Sequence, residues 1–400
     1  MGDVAKLVGF MPWLQLEKPV RVAGFSFVPF TVSGAISDGL EGLKDIFPAI
    51  LSNYVDQMEP QSNCIVVIDE TAQNPNEAWN ISVARIEAAH SASSLLFLAT
   101  WSKNEYFTPI GSYVNDVDFQ LYFQRFVGSV DRISFHRRKR DGSVFSAGQK
   151  QGSIHFTKPL SGSGSSLNRI KVDLGFLQGL STASLAGSSV VSALKVVLPF
   201  VRLANTDSDL MNNDAEVALL AFAFEQYFQA NTARDLATKF DDLLILQSKT
   251  TVQTAKDRRP DIYPDPPYTN AQLNWPVAKM WMNEFHQYRS TIVHGQGSSN
   301  RTWGWNPLEH LVMAALTFPL IVKLDLAKEG HYSLTLDDKA DCQSVDLLLS
   351  QSNWSTFTGS STNTKWQNIL CGERRLYALK HHMSISEDER VSFLAELAQD

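Results

Sequence analysis

Residues 215–228 (AEVALLAFAFEQYF) are apolar around nearly the whole circumference of a helix, and the Asn213-Asp214 pair at its start suits a helix N-cap. Because a helix that is apolar on all sides is stable only when other elements cover it, this segment predicts a core helix of a bundle. Helical spacing recurs in four further segments, namely residues 190–203, residues 232–246, a helix starting near Pro276 and one starting near Pro307. The second half of the chain is therefore predicted to be a helical bundle.

The first half of the chain mixes strand-like and helix-like segments. Apolar runs and alternating patterns predict strands at residues 20–32 (one long strand or a pair), 64–70 and 94–101. Helical spacing predicts helices at residues 40–55, with a kink or break at Pro48, and at residues 78–92. Such a succession of strands and helices is typical of a small mixed α/β layer.

The length of 400 residues exceeds what one hydrophobic core usually organises, so we expect more than one domain. The predicted organisation is a mixed α/β domain over residues 1–180, an all-α bundle over residues 185–330 and a C-terminal extension over residues 331–400. The sequence does not indicate a role for the extension. The predicted fold class is α+β overall.

Basic residues are concentrated in one part of an acidic chain. The net charge of −7 disfavours a globally cationic nucleic-acid binder, but residues 131–172 contain nine Lys and Arg against two Asp and Glu. A hairpin is predicted over residues 133–145, with its turn at Asp141-Gly142. The densest basic cluster lies at its tip and consists of Arg137, Arg138, Lys139 and Arg140. This cluster is either a solvated hairpin tip or a contact to the phosphate backbone of RNA.

Cysteine usage and hydropathy indicate a soluble protein. Cys64, Cys342 and Cys371 are far apart and form no CxxC or CxxH motif, so neither a zinc site nor a disulfide framework is predicted. A sparse, odd cysteine count is typical of a reducing cytoplasm. We expect no signal peptide, and the apolar run at residues 311–322 is about half the length of a membrane span. The chain is predicted to be cytoplasmic, without membrane association, metal or cofactor.

The motif RSTIVHG at residues 289–295 ends the fourth predicted helix of the bundle. Arg289 and His294 are separated by four residues, and Ser290 follows the arginine directly. This arrangement resembles the Arg-x(4–6)-His motif of the HEPN family (higher eukaryotes and prokaryotes nucleotide-binding domain), and it is particularly similar to the Apea-like branch. The resemblance covers roughly residues 185–330 and includes the apolar helix upstream.

Family resemblance implies a metal-independent endoribonuclease that forms a homodimer or a larger homo-oligomer and uses Arg289 and His294 as its catalytic pair. Ser290 stands where the family more often has Asn, Asp or His, and its hydroxyl would contact phosphate. By the same analogy, the protein would act in bacterial antiphage defence by abortive infection or in a toxin system. The mixed α/β domain would then sense a phage trigger or a regulatory partner, restrain the nuclease or position RNA.

The chemistry of the two side chains agrees with this interpretation. An imidazole titrates near neutrality, so His294 can move protons between a ribose 2′-hydroxyl and a leaving 5′-oxygen. The Arg289 guanidinium can donate two hydrogen bonds to the scissile phosphate. Five residues along a helix separate the two groups by about 140° and about 7.5 Å, so one chain does not easily focus both on one phosphorus atom. A twofold dimer would bring an arginine and a histidine from each chain into one cleft.

Two acidic residues of the apolar helix, Glu216 and Glu225, need polar partners if they are buried, and Arg289 is a candidate partner for either.

Two alternative functions stay open at this point. In the first alternative, the bundle is a non-catalytic HEPN-like module for dimerisation or partner binding, and the motif is only the structural end of a helix. In the second alternative, Asp69 and Glu70 at the end of a predicted strand bind the metal of a nuclease in the N-terminal half.

Overall fold

The computed structural model describes residues 6–34, 40–56, 59–74, 77–103, 114–126, 132–138, 141, 144–150, 152, 155–159, 170–208, 210–244, 250–258, 269–295, 303–350 and 365–384. The described residues up to Met211 form one compact unit, and those from Asn212 onward form a second. The strands belong to the first unit and the second is helical, which confirms the predicted α+β class.

The main sheet of the first unit is antiparallel. In spatial order, its described strands are β2 (Val20–Val22), β3 (Phe25–Thr31), β6 (Asn63–Asp69), β1 (Lys6–Met11) and β7 (Tyr122–Phe126). Shorter strands form a second sheet in the order β10 (Phe156–Thr157), β4 (Tyr54–Asp56) and β5 (Glu59–Pro60). A separate antiparallel ribbon consists of β8 (Arg132–Arg138) and β9 (Val144–Lys150).

Residues 20–32 form a strand pair, which is one of the two predicted forms. The turn between β2 and β3 consists of Ala23 and Gly24, whose φ angles are 52° and 80°. Positive φ at both central positions is what a type I′ hairpin turn requires. The Ala23 N–H donates a hydrogen bond to Ser181 Oγ at 3.0 Å, which helps to hold a conformation that alanine rarely adopts.

The segment at residues 40–55 differs from its prediction as a kinked helix. It contains a 3₁₀ turn at Glu41–Leu43, a short helix α1 (Phe47–Leu51) and strand β4. Pro48 lies in the first turn of α1, where its missing N–H costs no helical hydrogen bond. The apolar residues that suggested helical spacing are buried, and Phe47 meets Phe10 of β1 edge-to-face at 5.1 Å between ring centroids. The apolar residues of this segment have their spacing because they pack on the sheet, and not because they share one face of a helix.

The predicted strand at residues 94–101 is wrong, because these residues form the second half of helix α2 (Ile86–Trp101). From Ala92 to Trp101 the helix is buried at nearly every position. Burial on all sides removes the polar stripe that reveals helical periodicity, and a short apolar run then matches a buried strand equally well.

Helices α3 (Leu174–Leu185) and α4 (Ser189–Ala204) belong to the first unit. Arg202 on α4 pairs with Asp116, donates to Ser94 Oγ of α2 at 2.9 Å and donates to the Phe119 carbonyl at 3.1 Å. The division between the units therefore falls at residues 211–212, later than the predicted boundary at 180–185, because α4 packs within the first unit and not in the bundle.

The described helices of the second unit are α5 (Asn213–Phe228), α6 (Ala233–Leu243), α7 (Val252–Arg258), α8 (Asn270–Leu273), α9 (Val277–Val293), α10 (Pro307–Lys328), α11 (Leu336–Leu349) and α12 (Lys365–Ser384). This confirms the helices predicted at residues 215–228 and 232–246 and those starting near Pro276 and Pro307. The N-cap of α5 is Asn212, whose side chain accepts the Ala215 N–H at 2.9 Å. It lies one residue before the predicted Asn213-Asp214 pair.

Among the described helices, α10 is long and apolar enough to cross a membrane, as are α3 and α4 together if their 111° bend is disregarded. Most of α10 is nevertheless buried inside the second unit, and residues 311–314 are 1% exposed or less. Its apolar residues are therefore accounted for by burial in the core of the bundle.

The described part of residues 331–400 belongs to the second unit. Lys323 Nζ on α10 lies 2.8 Å from Asp338 Oδ1 on α11, and both groups are buried. The Arg374 guanidinium on α12 donates two hydrogen bonds of 2.8 Å to the Asp341 carboxylate on α11. These two pairs join α11 and α12 to the bundle, so this segment extends the helical unit.

Candidate functional site

Helix α9 positions the RSTIVHG motif at its C-terminal end. The His294 N–H donates to the Ser290 carbonyl at 3.1 Å, and the Gly295 N–H donates to the Ile292 carbonyl at 3.2 Å. Gly295 has a φ of 64°, the left-handed conformation that commonly ends helices and that glycine adopts without steric cost. The predicted helix end is confirmed, and His294 is its C-cap residue.

The three motif side chains differ in their exposure. Arg289 and Ser290 are half-buried, whereas His294 is exposed at the end of the helix. The preceding Val293 is also exposed, at 58%. Within one chain, Arg289 is thus held against the bundle while His294 is presented to solvent.

Arg289 faces Glu225 on the neighbouring helix α5. Its Nη1 lies 3.7 Å from Glu225 Oε2, and both side chains are about one-fifth exposed, at 22% and 19%. Glu216 lies in the first turn of α5, nine residues and therefore about 13.5 Å along the helix from Glu225. Of the two acidic residues considered from the sequence, Glu225 is the one that lies beside the arginine.

His286 is a third member of this cluster that the sequence motif does not reveal. Its Nε2 lies 3.6 Å from the same Glu225 oxygen that faces Arg289. His286 precedes Arg289 by three residues, so the two side chains share one face of α9. A search of the sequence for titratable residues three and four positions before Arg289 would have found His286.

Burial lowers the pKa of His286, and the neighbouring Arg289 charge lowers it further, while Glu225 opposes both. The imidazole is therefore neutral near neutral pH. Its Nδ1 and the Glu225 Oε2 are both buried, and neither has a hydrogen-bond partner among the described residues. The cluster thus contains a neutral imidazole, a carboxylate and a guanidinium with unused hydrogen-bonding capacity.

The guanidinium of Arg289 also lies near an aromatic ring, with its Cζ 5.8 Å from the centroid of Phe222. A guanidinium has five N–H donors, and a contact of 3.7 Å to Glu225 is an ion pair rather than a hydrogen bond. Arg289 is therefore oriented by the bundle and retains donors for an anionic group that reaches the site.

Polar residues of α9 just before the motif hold the neighbouring helix and the start of the next one. Tyr288 donates to Asp214 Oδ1 at 2.7 Å, and the buried Glu284 carboxylate accepts the Trp305 N–H at 3.0 Å. His310 is completely buried, and burial lowers its pKa to about 3, so its ring is neutral. These contacts connect the turns of α9 before the motif to α5 and to the segment that leads into α10.

The basic cluster of the first unit is only partly within the described residues. Strands β8 and β9 confirm the predicted hairpin and extend it, from the pair Arg132 and Lys150 to the pair Arg138 and Val144. Lys139, Arg140 and the predicted turn residue Gly142 lie outside the described residues. Successive residues of a strand belong to opposite faces, so Arg137 and Arg138 do not share a face.

Asp69 and Glu70, the candidate metal ligands, are both engaged by protein groups. Asp69 accepts hydrogen bonds from Arg85 Nε at 2.9 Å and from the Thr71 hydroxyl at 2.7 Å. Burial raises the pKa of Asp69, but these hydrogen bonds outweigh it and hold the pKa below its usual value. Glu70 lies 2.8 Å from Arg21 Nε. The two carboxylates therefore stabilise the β2–β3 end of the sheet.

Within the described ranges, no group of three or more His, Cys, Asp or Glu side chains is arranged to hold a metal ion. No known protein family, curated protein or solved structure matches this chain. The functional argument therefore rests on the residues and geometry of the chain itself.

Proposed function

We propose that this protein is a metal-independent endoribonuclease of the HEPN type. The observation that carries the proposal is the arrangement at the end of α9, where Arg289 is oriented by Glu225 and His294 is exposed five residues later. The resemblance of RSTIVHG to the Apea-like HEPN motif and its position in a helical bundle support it. Cleavage needs no metal because the substrate's own 2′-hydroxyl is the nucleophile.

In the proposed reaction, the ribose 2′-oxygen forms a bond to phosphorus while the bond from phosphorus to the leaving 5′-oxygen breaks. His294 takes the proton from the 2′-hydroxyl, and the same imidazole gives a proton to the leaving 5′-oxygen. Arg289 donates hydrogen bonds to the non-bridging oxygens, where negative charge increases in the transition state. The Ser290 hydroxyl is a further donor to phosphate. The products are a 2′,3′-cyclic phosphate and a 5′-hydroxyl.

The opposite environments of Arg289 and His294 support a composite site across a homodimer. The arginine is held in the bundle, whereas the histidine and the 58% exposed Val293 are available to a second chain. A twofold axis beside the end of α9 would place both motifs in one cleft and would cover Val293. The assembly is a dimer or a larger homo-oligomer built from it.

By family analogy, the protein acts in the cytoplasm of a bacterium in antiphage defence, abortive infection or a toxin system. A ribonuclease of this kind would damage its own cell, so its activity requires control. The first unit is the candidate for that control, by sensing a trigger or by binding a regulatory partner. Its cluster at Arg137, Arg138, Lys139 and Arg140 is the candidate RNA contact.

The direct test is cleavage of RNA by the purified full-length protein in excess EDTA, with the product ends mapped. We expect cleavage that leaves 2′,3′-cyclic phosphate, because neither the nucleophile nor the proton transfers involve a metal. Cleavage that EDTA abolishes, or that leaves 5′-phosphate ends, would contradict the proposal.

The alternative is a non-catalytic HEPN-like module for dimerisation or partner binding. The ion pair between Arg289 and Glu225 favours it, since the same contact also stabilises packing of α9 on α5. Under this alternative, the His294→Ala variant retains every cellular effect of the parent protein. Loss of cellular toxicity in a folded, dimeric His294→Ala variant would support the nuclease proposal over this alternative.

Glu225 is expected to position the arginine. In the Glu225→Gln variant, Arg289 loses a partly exposed ion pair worth about 1 kcal/mol, and we expect kcat to fall about three- to tenfold with little change in KM. The matched control is Glu216→Gln on the same helix, for which kcat stays within about twofold. Steady-state cleavage of a fluorescent RNA measures both. An increase in kcat for Glu225→Gln would show that the carboxylate neutralises Arg289 rather than positions it.

A further inference from the structure

Trp275 is a partly exposed tryptophan of the second unit, immediately before helix α9 begins at Val277. Most of the described tryptophans belong instead to the core, namely Trp13, Trp79, Trp101, Trp281, Trp305 and Trp366. The Trp275 carbonyl accepts the Val252 N–H at 2.9 Å, and the Val277 N–H donates to the Thr250 carbonyl at 2.8 Å. The backbone around Trp275 is therefore fixed, and a rigid segment presents the indole at the surface.

Two positively charged side chains lie over the Trp275 indole. The guanidinium carbon of Arg234 on α6 is 5.9 Å from the ring centroid, and Lys279 Nζ on α9 is 5.3 Å from it. Cation–π attraction acts at both distances. The two charges are no more than about 11 Å apart, the sum of these distances, which is about one Debye length at 0.1 M salt. The indole thus holds together two cations that repel each other.

The described part of the chain supplies no counter-ion to either cation. Neither Arg234 nor Lys279 forms an ion pair or donates a side-chain hydrogen bond among the described residues. The acidic neighbour of Arg234, Asp235, pairs instead with Lys239 at 3.0 Å. Arg234 and Lys279 also lie in the first turns of α6 and α9, where the helix dipole disfavours positive charge. Folding therefore leaves both charges uncompensated, and they suit an anionic ligand.

We propose that Trp275, Arg234 and Lys279 form a subsite for one nucleotide of single-stranded RNA, with the base against the indole and its neighbouring phosphates on the two cations. The choice of RNA as the ligand rests on the proposed nuclease function, whereas the choice of residues rests on the cluster itself. Base stacking on an aromatic side chain, combined with Lys and Arg contacts to the backbone, is how proteins commonly bind single strands without sequence preference.

The subsite is remote from the proposed catalytic pair. Lys279 precedes Arg289 by ten residues, which corresponds to about 15 Å along α9. A nucleotide bound at Trp275 is therefore not the one whose phosphate is cleaved, and its contacts are the same in the ground state and in the transition state. Such contacts lower KM and leave kcat unchanged.

The test measures binding of a labelled 2′-O-methyl oligonucleotide to the full-length protein by fluorescence anisotropy. This RNA analogue has no free 2′-hydroxyl to act as the nucleophile, so the proposed reaction does not cleave it. We expect Trp275→Ala to weaken binding about 5- to 100-fold, the contribution of one stacked base, and Trp275→Phe, which keeps a ring, to weaken it less than about threefold. Arg234→Gln and Lys279→Gln are each expected to weaken binding about three- to tenfold.

The salt dependence separates the two kinds of contact. In the double variant Arg234→Gln/Lys279→Gln, the slope of log K against log salt is expected to fall by about 1.4, because each phosphate contact to a single strand contributes about 0.7. Trp275→Ala is expected to leave this slope unchanged, since the indole carries no charge. The matched control is Lys328→Gln, a lysine of the same unit that lies 3.7 Å from Asp325, for which binding stays within about twofold.

Thermal denaturation of each variant distinguishes lost binding from lost folding. The melting temperature is expected to be unchanged in the two single cation variants, and these variants with Trp275→Phe carry the test if Trp275→Ala is less stable. Unchanged affinity and salt slope in the double variant would overturn the proposal. Inorganic polyphosphate that binds as tightly as the oligonucleotide would also overturn it, because such a site makes no use of a base.

Binding and cleavage fail independently of each other. A protein that binds the oligonucleotide through these three residues but never cleaves RNA would contradict the nuclease proposal alone. With a cleavable RNA, Trp275→Ala is expected to raise KM about 5- to 100-fold and to leave kcat within about twofold. A fall in kcat with unchanged KM would overturn the assignment of Trp275 to a remote subsite.

Discussion

Replacing His294 by alanine is expected to lower RNA cleavage about 10²- to 10⁴-fold, because this is the range that proton transfer by a positioned side chain contributes. The exposed position of His294 at the end of α9 makes a folding defect from this change unexpected. Single-turnover cleavage of a defined RNA measures the effect, with His381→Ala at another exposed histidine as the control. A larger loss for His286→Ala than for His294→Ala would assign the proton transfer to the His286 cluster and contradict the proposed role.

Complementation between inactive chains tests the composite site. Arg289→Ala is expected to lower cleavage about 10²- to 10³-fold, as loss of a donor to the transition-state oxyanion does. If one site takes its arginine from one chain and its histidine from the other, mixing Arg289→Ala with His294→Ala chains restores a complete site in each heterodimer. About half of the dimers in an equal random mixture are of this kind. A mixture as inactive as its components would place both groups of a site in one chain.

The accuracy of the sequence predictions depended on whether a segment is exposed on one side or buried on all sides. Residues 232–246 have polar and apolar faces and a Thr232 N-cap, and the structure has helix α6 there. Residues 94–101 are buried at nearly every position of helix α2, so no polar face indicates the helical period and the apolar run predicts a strand. The apolar residues of 40–55 pack on a sheet, and their spacing along the chain happens to match that of one helical face. Helix α4 has the pattern of a bundle helix but packs on α2, so the division between the two units falls after it.

The motif residues could be located from the sequence, but their partners could be only partly identified. The R-x4-H spacing and Gly295 define the end of α9 by local rules. Glu225 was one of two acidic candidates on α5, and only the packing of α5 against α9 distinguishes it from Glu216. His286 carries no motif, and its importance arises from a carboxylate 61 positions earlier in the chain.

The Lys158→Met variant is expected to lose about 3–5 kcal/mol of unfolding free energy in the first unit, since it leaves a buried carboxylate without its counter-ion. Lys158 Nζ lies 2.7 Å from Asp118 Oδ1, and each side chain is only 4% exposed. Burial raises the pKa of Asp118, and the Asp56 and Asp207 charges raise it further, while Lys158 opposes them. Without the lysine, the folded protein must either keep an uncompensated charge or protonate Asp118. Urea denaturation of the full chain, followed through the transition of the first unit, measures the loss.

The pH dependence of the stability loss distinguishes removal of the Asp118 counter-ion from a general packing defect. In the variant, folded Asp118 binds a proton that the unfolded chain does not bind above its ordinary pKa. Stability therefore rises as the pH falls from neutrality, and the deficit relative to the parent narrows by up to about 1.4 kcal/mol per pH unit. The matched control is Lys6→Met, which removes an exposed pair with Glu77 in the same unit and should cost about 0–1 kcal/mol. A deficit that is independent of pH, or that persists in Lys158→Met/Asp118→Leu, would show that the lysine acts by packing and not as the counter-ion of Asp118.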